Sequence, residues 1–122
     1  MGSSYNLRII VDSNKYPLLT TILGVEPTPK SRANKRLTTN TATWELVISE
    51  YSQLYAEAID YFLNLLRDKA AQLEQIGVSC DSTTIWYLYE YEGQCNMEFH
   101  PIDLKRMGDL GITLCISCWE KD

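Results

Sequence analysis

Cys115 and Cys118 form a C-x-x-C pair in a chain that also carries Cys80, Cys95 and one histidine, His100. Thiolates and imidazole are zinc ligands, and a structural zinc site needs four of them converging at about 2.0–2.3 Å. The pair lies in ITLCISCW (112–119), which alternates as a β-strand does. Residues i and i+3 of a strand point to opposite faces, so the two thiols diverge unless the strand breaks. No Gly or Pro lies between them. Thioredoxin-like chemistry sets its C-x-x-C beside a βαβ pattern, and no helical pattern follows here. The cysteines are read as small apolar residues in the reduced state, with neither metal nor cofactor expected.

His100 would have to serve any His–Cys or Ser–His–Asp constellation. It stands directly before Pro101, where the plainer role is to cap a helix. Glu90, Glu92 and Glu98 are the nearest carboxylates for acid–base work, which requires burial to shift their pKa values. On a strand pair they read first as a solvated face. Tyr87, Tyr89 and Tyr91 alternate with Trp86, Leu88 and Glu90. Such a column is either a half-buried sheet face or a binding surface, since tyrosine joins contact area to a hydroxyl. Lys30, Arg32, Lys35 and Arg36 crowd four cations into seven positions, while the remaining chain holds 7 basic against 16 acidic residues. That cluster reads as a docking patch for an anionic partner or as a solvated connection. No G-x-G-x-x-G or G-x-x-x-x-G-K-[ST] loop is present.

These groups need elements to position them. The 122 residues are 45% hydrophobic and 11% aromatic, enough for one domain with a core that requires no staple. The formal charge of −5 and the pI near 4.8 argue against general nucleic-acid binding, which phosphate neutralisation drives. No apolar run reaches the roughly 18–20 residues of a membrane span. MGSSYNL lacks the basic and apolar regions of a secretory signal. Residues 1–4 are read as a flexible N-terminus or tag remnant, and the expected location is cytoplasmic.

YNLRIIVD (5–12) alternates Leu7, Ile9 and Val11 against Arg8 and predicts a strand. A short helix follows with Leu18, Leu19, Ile22 and Leu23, and Gly24 stops it. Residues 25–40 carry two prolines and no period, and predict a long basic loop. TATWELVIS (41–49) predicts the second strand. Tyr55, Ala58, Ile59, Phe62, Leu66, Leu73 and Ile76 mark one long helix over 52–76, with Ser52 as cap and Gly77 as stop. Residues 83–93 and 94–100 read as a hairpin about Gly93-Gln94. PIDLKRMGDLG (101–111) is a short helix with Pro101 at its first position, and 112–119 is the last strand. The sum is a single α+β domain of order β-α-β-α-β-β-α-β. It comprises an antiparallel or mixed sheet of about five strands with one long and two short helices packed on it.

The turn and cap residues carry a resemblance. Leu23-Gly24-Val25-Glu26-Pro27-Thr28, the strand TWELVIS around Trp44, and FHPIDLKRMGDLGITLCISCW (99–119) with Leu110-Gly111 before the last strand resemble the bacterial family called domain of unknown function 4279. The likeness covers nearly all of residues 5–119. It implies a fold and a bacterial or phage origin, and no reaction. The setting of such small acidic domains among toxin–immunity and defence genes implies an inhibitor or immunity role.

The expectation is a non-enzymatic interaction domain, monomer or homodimer, of inhibitor, immunity or anti-defence type. It binds a partner protein through Lys30, Arg32, Lys35, Arg36, Trp86, Tyr87, Tyr89, Tyr91, Glu90 and Glu92. The alternative is a domain for a small anionic ligand or nucleotide derivative, with the cations as clamp and the tyrosines as stacking platform. A third reading is a hydrolase using His100 with Glu98.

Overall fold

The computed structural model describes residues 2–29 and 40–122. β1 (Ser4–Asp12), β2 (Thr41–Ser49), β3 (Thr83–Tyr91) and β4 (Thr113–Glu120) form one four-stranded sheet in the order β2-β1-β3-β4. β1 is antiparallel to both β2 and β3, whereas β4 runs parallel to β3. The helices are α1 (Tyr16–Leu23), α2 (Ala58–Arg67), α3 (Ala70–Gln75) and α4 (Pro101–Leu110).

Strand alternation decides which face is buried. Register places Leu7 between Leu46 and Ile85, and Ile9 beside Trp44. Leu19 and Leu23 of α1, Phe62, Leu63 and Leu66 of α2, Leu73 of α3 and Met107 of α4 pack onto that side. Trp44 and Phe62 are fully buried, and Trp44 Nε1 donates to Thr20 Oγ1 at 3.1 Å, so the indole is both packed and hydrogen-bonded. Gly24 takes φ 74° and its N–H bonds Thr20 O at 2.9 Å, closing α1 in the left-handed conformation that favours glycine.

Three expectations change. The sheet has four strands, because residues 95–100 form none; only an isolated Glu92–Gln94 bridge closes the turn. The reason is topological: β3 already has β1 on one side and β4 on the other, so no edge is left for a returning hairpin arm. The long helix is also divided. A 3₁₀ turn at Tyr55–Glu57 precedes α2, and Asp68-Lys69 separates α2 from α3. There Lys69 N–H bonds Leu66 O, three residues back, where a continuous helix bonds four back. Arg67, Asp68 and Lys69 bring no apolar side chain to hold that turn against the core, while Leu73 stays buried beyond it. Third, β1 begins at Ser4 and not at Tyr5, and Ser3 and Ser4 are buried. Ser3 N–H bonds Glu50 Oε1 at 2.6 Å, and Ser3 Oγ accepts from Glu90 N–H at 2.9 Å.

The two sheet edges differ. At β2, Thr28 N–H donates to Glu45 O and Thr28 Oγ1 accepts from Val47 N–H, both at 2.8 Å. The first residues of the expected long loop thus run along that edge. At β4, β3 is the one strand neighbour.

Candidate functional site

Tyr87 lies on the helix-covered face of β3, opposite Tyr5 of β1. Their rings stack at 4.2 Å with 7° between planes. Tyr55, from the turn before α2, meets Tyr5 at 5.4 Å and its hydroxyl lies 3.1 Å from that of Tyr87. Phe99, from the irregular segment before α4, meets Tyr87 edge-on at 6.1 Å. Tyr89 continues the column at 5.2 Å from Tyr87, and Tyr91 at 6.3 Å from Tyr89. Burial, then the neighbouring Tyr55, pushes the Tyr5 hydroxyl up to about 12. Burial, then the bond to Tyr55, raises that of Tyr87. These phenols therefore stay neutral and act as hydrogen-bonding groups over the ordinary pH range.

Beside this cluster opens a recess of about 160 Å³. Tyr5, Tyr55 and Phe99 line it together with Glu57, Asp60, Glu98, His100 and Asp103. Two helix starts converge here: Asp60 sits in the first turn of α2 and Asp103 in that of α4. A carboxylate is favoured at each, because unpaired N–H groups give a helix start partial positive charge. Arg106 joins them, with Nη1 at 2.5 Å from Asp60 Oδ1 and 3.8 Å from Asp103 Oδ1. Glu57 and Glu98 are exposed on the rim and, among the described residues, have no ion-pair partner. His100 Nδ1 accepts Ile102 N–H at 3.2 Å, which makes the imidazole the cap of α4.

Trp86 and Glu90 point to the other face of the sheet. Trp86 is half-buried under the Arg8 guanidinium, 4.8 Å from its ring centroid. Arg8 also pairs with Glu45, which is 1% exposed and accepts from Asn6 Nδ2 at 3.2 Å. Glu90 Oε2 accepts from Trp119 Nε1 at 3.3 Å, and Glu92 is exposed at the turn. Glu90 and Glu98 thus lie on opposite sides of the sheet. Lys30, Arg32, Lys35 and Arg36 lie outside the described residues. Cys115 is in register with Trp86 and Cys118 with Tyr89, so the C-x-x-C thiols occupy opposite faces, as strand alternation requires. Among the described residues, no three His, Cys, Asp or Glu side chains are grouped to hold a metal ion.

Of the residues gathered here, the sequence marks Tyr87 for a partner surface and Glu98 with His100 only for the hydrolase reading, and it marks Tyr5, Tyr55, Glu57 and Asp103 for no site. The helix-start acids were a usable signal; the meeting of two helix starts over one tyrosine stack was not local information. A second cavity, about 220 Å³, lies between the ends of α2, α3 and α4 and is lined mainly by Leu66, Leu73, Val78, Leu110 and Ile112. No helix among the described residues is long and apolar enough to cross a membrane. No protein-family profile, curated protein or solved structure matches the chain.

Proposed function

We propose that this chain is a non-enzymatic interaction domain of inhibitor, immunity or anti-defence type, which holds a partner protein by a basic side chain. The observation that carries this reading is the recess: a floor of aromatic rings and neutral phenols, rimmed by Glu57 and Glu98 with no cation of the described chain opposite them. A lysine or arginine entering it meets carboxylates for charge and ring faces for cation–π contact. The acidity of the whole chain steers a basic partner toward it. The cap bond at His100 gives that residue a structural task, so the hydrolase reading has the less support. The small-anion reading rests on Lys30, Arg32, Lys35 and Arg36, and the carboxylate rim favours the opposite sign of ligand.

The test is affinity capture from the native host with the wild-type chain and with Glu57→Gln/Glu98→Gln, which leaves Asp60, Asp103 and Arg106 paired. One protein retained by the wild type near stoichiometry, and lost by the variant or at high salt, is the expected result. Retention by both alike, or by neither, overturns the reading. Stabilisation by nucleotides or other small anions in a thermal-shift screen favours the alternative.

A further inference from the structure

We propose that β4 is the pairing edge of a homodimer, joining two copies into one continuous sheet about a two-fold axis through Ile116. The strand is TLCISCWE, and residues 113–119 carry no charge and no proline. Sheet edges are ordinarily blunted by lysine, proline, bulges or a covering segment. Here β2 has such a cover in Thr28, whereas among the described residues no strand and no backbone–backbone hydrogen bond engages the outer side of β4. Most of its residues are exposed, and Ile116 is 43% exposed.

The helix layer continues this edge. Arg106 bonds Asp60 and Asn64 of α2, which fixes the flank of α4 that faces the sheet centre. Leu104 lies two residues away, roughly 200° round the helix, and so overhangs the β4 side. It is 45% exposed. From Leu110 back to Leu104 is about 9 Å of helix rise, or roughly three residues of strand from Thr113, which brings Leu104 level with Ile116. Gly108 is on the same flank, and a Cβ there would meet nothing within 4 Å.

These features fit a second copy of the same chain. A two-fold axis perpendicular to the sheet keeps both helix layers on one side and requires a residue to face itself. With Ile116 on the axis, Leu104 and Ile116 of the two copies cluster together. Leu114 then faces Cys118, Cys115 faces Ser117, and Thr113 faces Trp119, so no two large side chains oppose each other in these pairs. An edge about 26 Å long and two layers about 20 Å deep gives roughly 1,000 Å² in total, at the lower bound for a specific interface. Area alone does not fix affinity; the dissociation constant expected is on the order of 1–10 µM, the weak end for a specific interface.

Sedimentation of the full chain at about 100 µM tests this, the concentration range such an interface calls for. The wild type should run at twice its 14.0 kDa mass, and Ile116→Lys, which sets like charges opposite each other, at the monomer mass with an unchanged circular dichroism spectrum. Ile116→Cys in a Cys80→Ser/Cys95→Ser/Cys115→Ser/Cys118→Ser background should form an intermolecular disulfide on mild oxidation. A wild type that stays monomeric overturns the proposal. A dimer that survives Ile116→Lys and does not crosslink also overturns it, by placing the interface elsewhere. Loss of partner capture by Ile116→Lys with a monomeric wild type would instead give the edge to the partner. None of these variants alters Glu57 or Glu98, so failure here leaves the recess reading standing.

Discussion

The two ends of the sheet use the same backbone chemistry to opposite effect. At β2, Thr28 engages the outward groups of Glu45 and Val47, and Trp44 and Glu45 are almost wholly withdrawn from solvent. At β4 five of the eight residues are exposed, Ile116 and Cys118 among them, and none is buried. A strand edge is a row of donors and acceptors that must be paired by protein or water. Thr28 and its neighbours cover one edge, and among the described residues no segment covers the other. The difference makes β2 the better-satisfied edge and leaves β4 with its outer backbone groups for water or for the second copy proposed above.

The largest expected contrast uses two tryptophans. Trp44→Ala should cost about 3–5 kcal/mol in urea unfolding, as buried aromatic truncations do, with Phe62→Ala in the same range. Trp119→Ala, at the open edge, should cost under about 1 kcal/mol. Equal losses would break the distinction. Next in size is Thr28→Val, which leaves the Val47 N–H without its Oγ1 acceptor and should cost about 1–2 kcal/mol. The corresponding change at the open edge, Ser117→Val, should stay within about 0.5 kcal/mol.

A pH titration sharpens the comparison at β3, whose tyrosine column runs outward from the sealed core. Tyr5 and Tyr87 have hydroxyls raised above the ordinary value of 10.0, Tyr5 to about 12. Above pH 10 the unfolded chain loses these protons while the folded chain keeps them, so the unfolded state binds fewer protons and stability falls with rising pH. The melting temperature should be level below pH 10 and drop between about 10 and 12. Tyr55→Phe removes the hydroxyl bond that helps raise Tyr87 and should make that drop shallower without moving its onset, which the unfolded chain sets. A melting curve flat through this window would show that the stack is open to water. The smallest effect belongs to the open end: Cys95→Ser/Cys115→Ser/Cys118→Ser together should move the melting temperature by no more than a few degrees.

Much of the fold was legible in short windows. The alternation of Leu7, Ile9 and Val11, the stripe of Ala58, Ile59, Phe62 and Leu66, and the stops at Gly24 and Gly77 all mark elements that the structure contains. The division at Asp68-Lys69 was hidden, because Leu73 and Ile76 continue the helical spacing across it. QCNMEFH alternates like a strand, yet a strand exists only where a neighbour has free backbone groups.

Periodicity and turn residues alone therefore determined the α+β class, the buried faces of β1 and β2, the capped end of α4 and the divergence of Cys115 from Cys118. Each of these depends on bond geometry within a few residues. Tertiary structure decided that β3 is central and β4 a parallel edge, that Thr28 closes one side, and that Tyr5, Tyr55 and Phe99 share a recess with Glu57 and Glu98. Those outcomes join residues from 17 positions apart, Thr28 and Glu45, to 94 apart, Tyr5 and Phe99. Strand order is settled by which hydrophobic faces fit together once the helices are in place, and no local pattern encodes that choice.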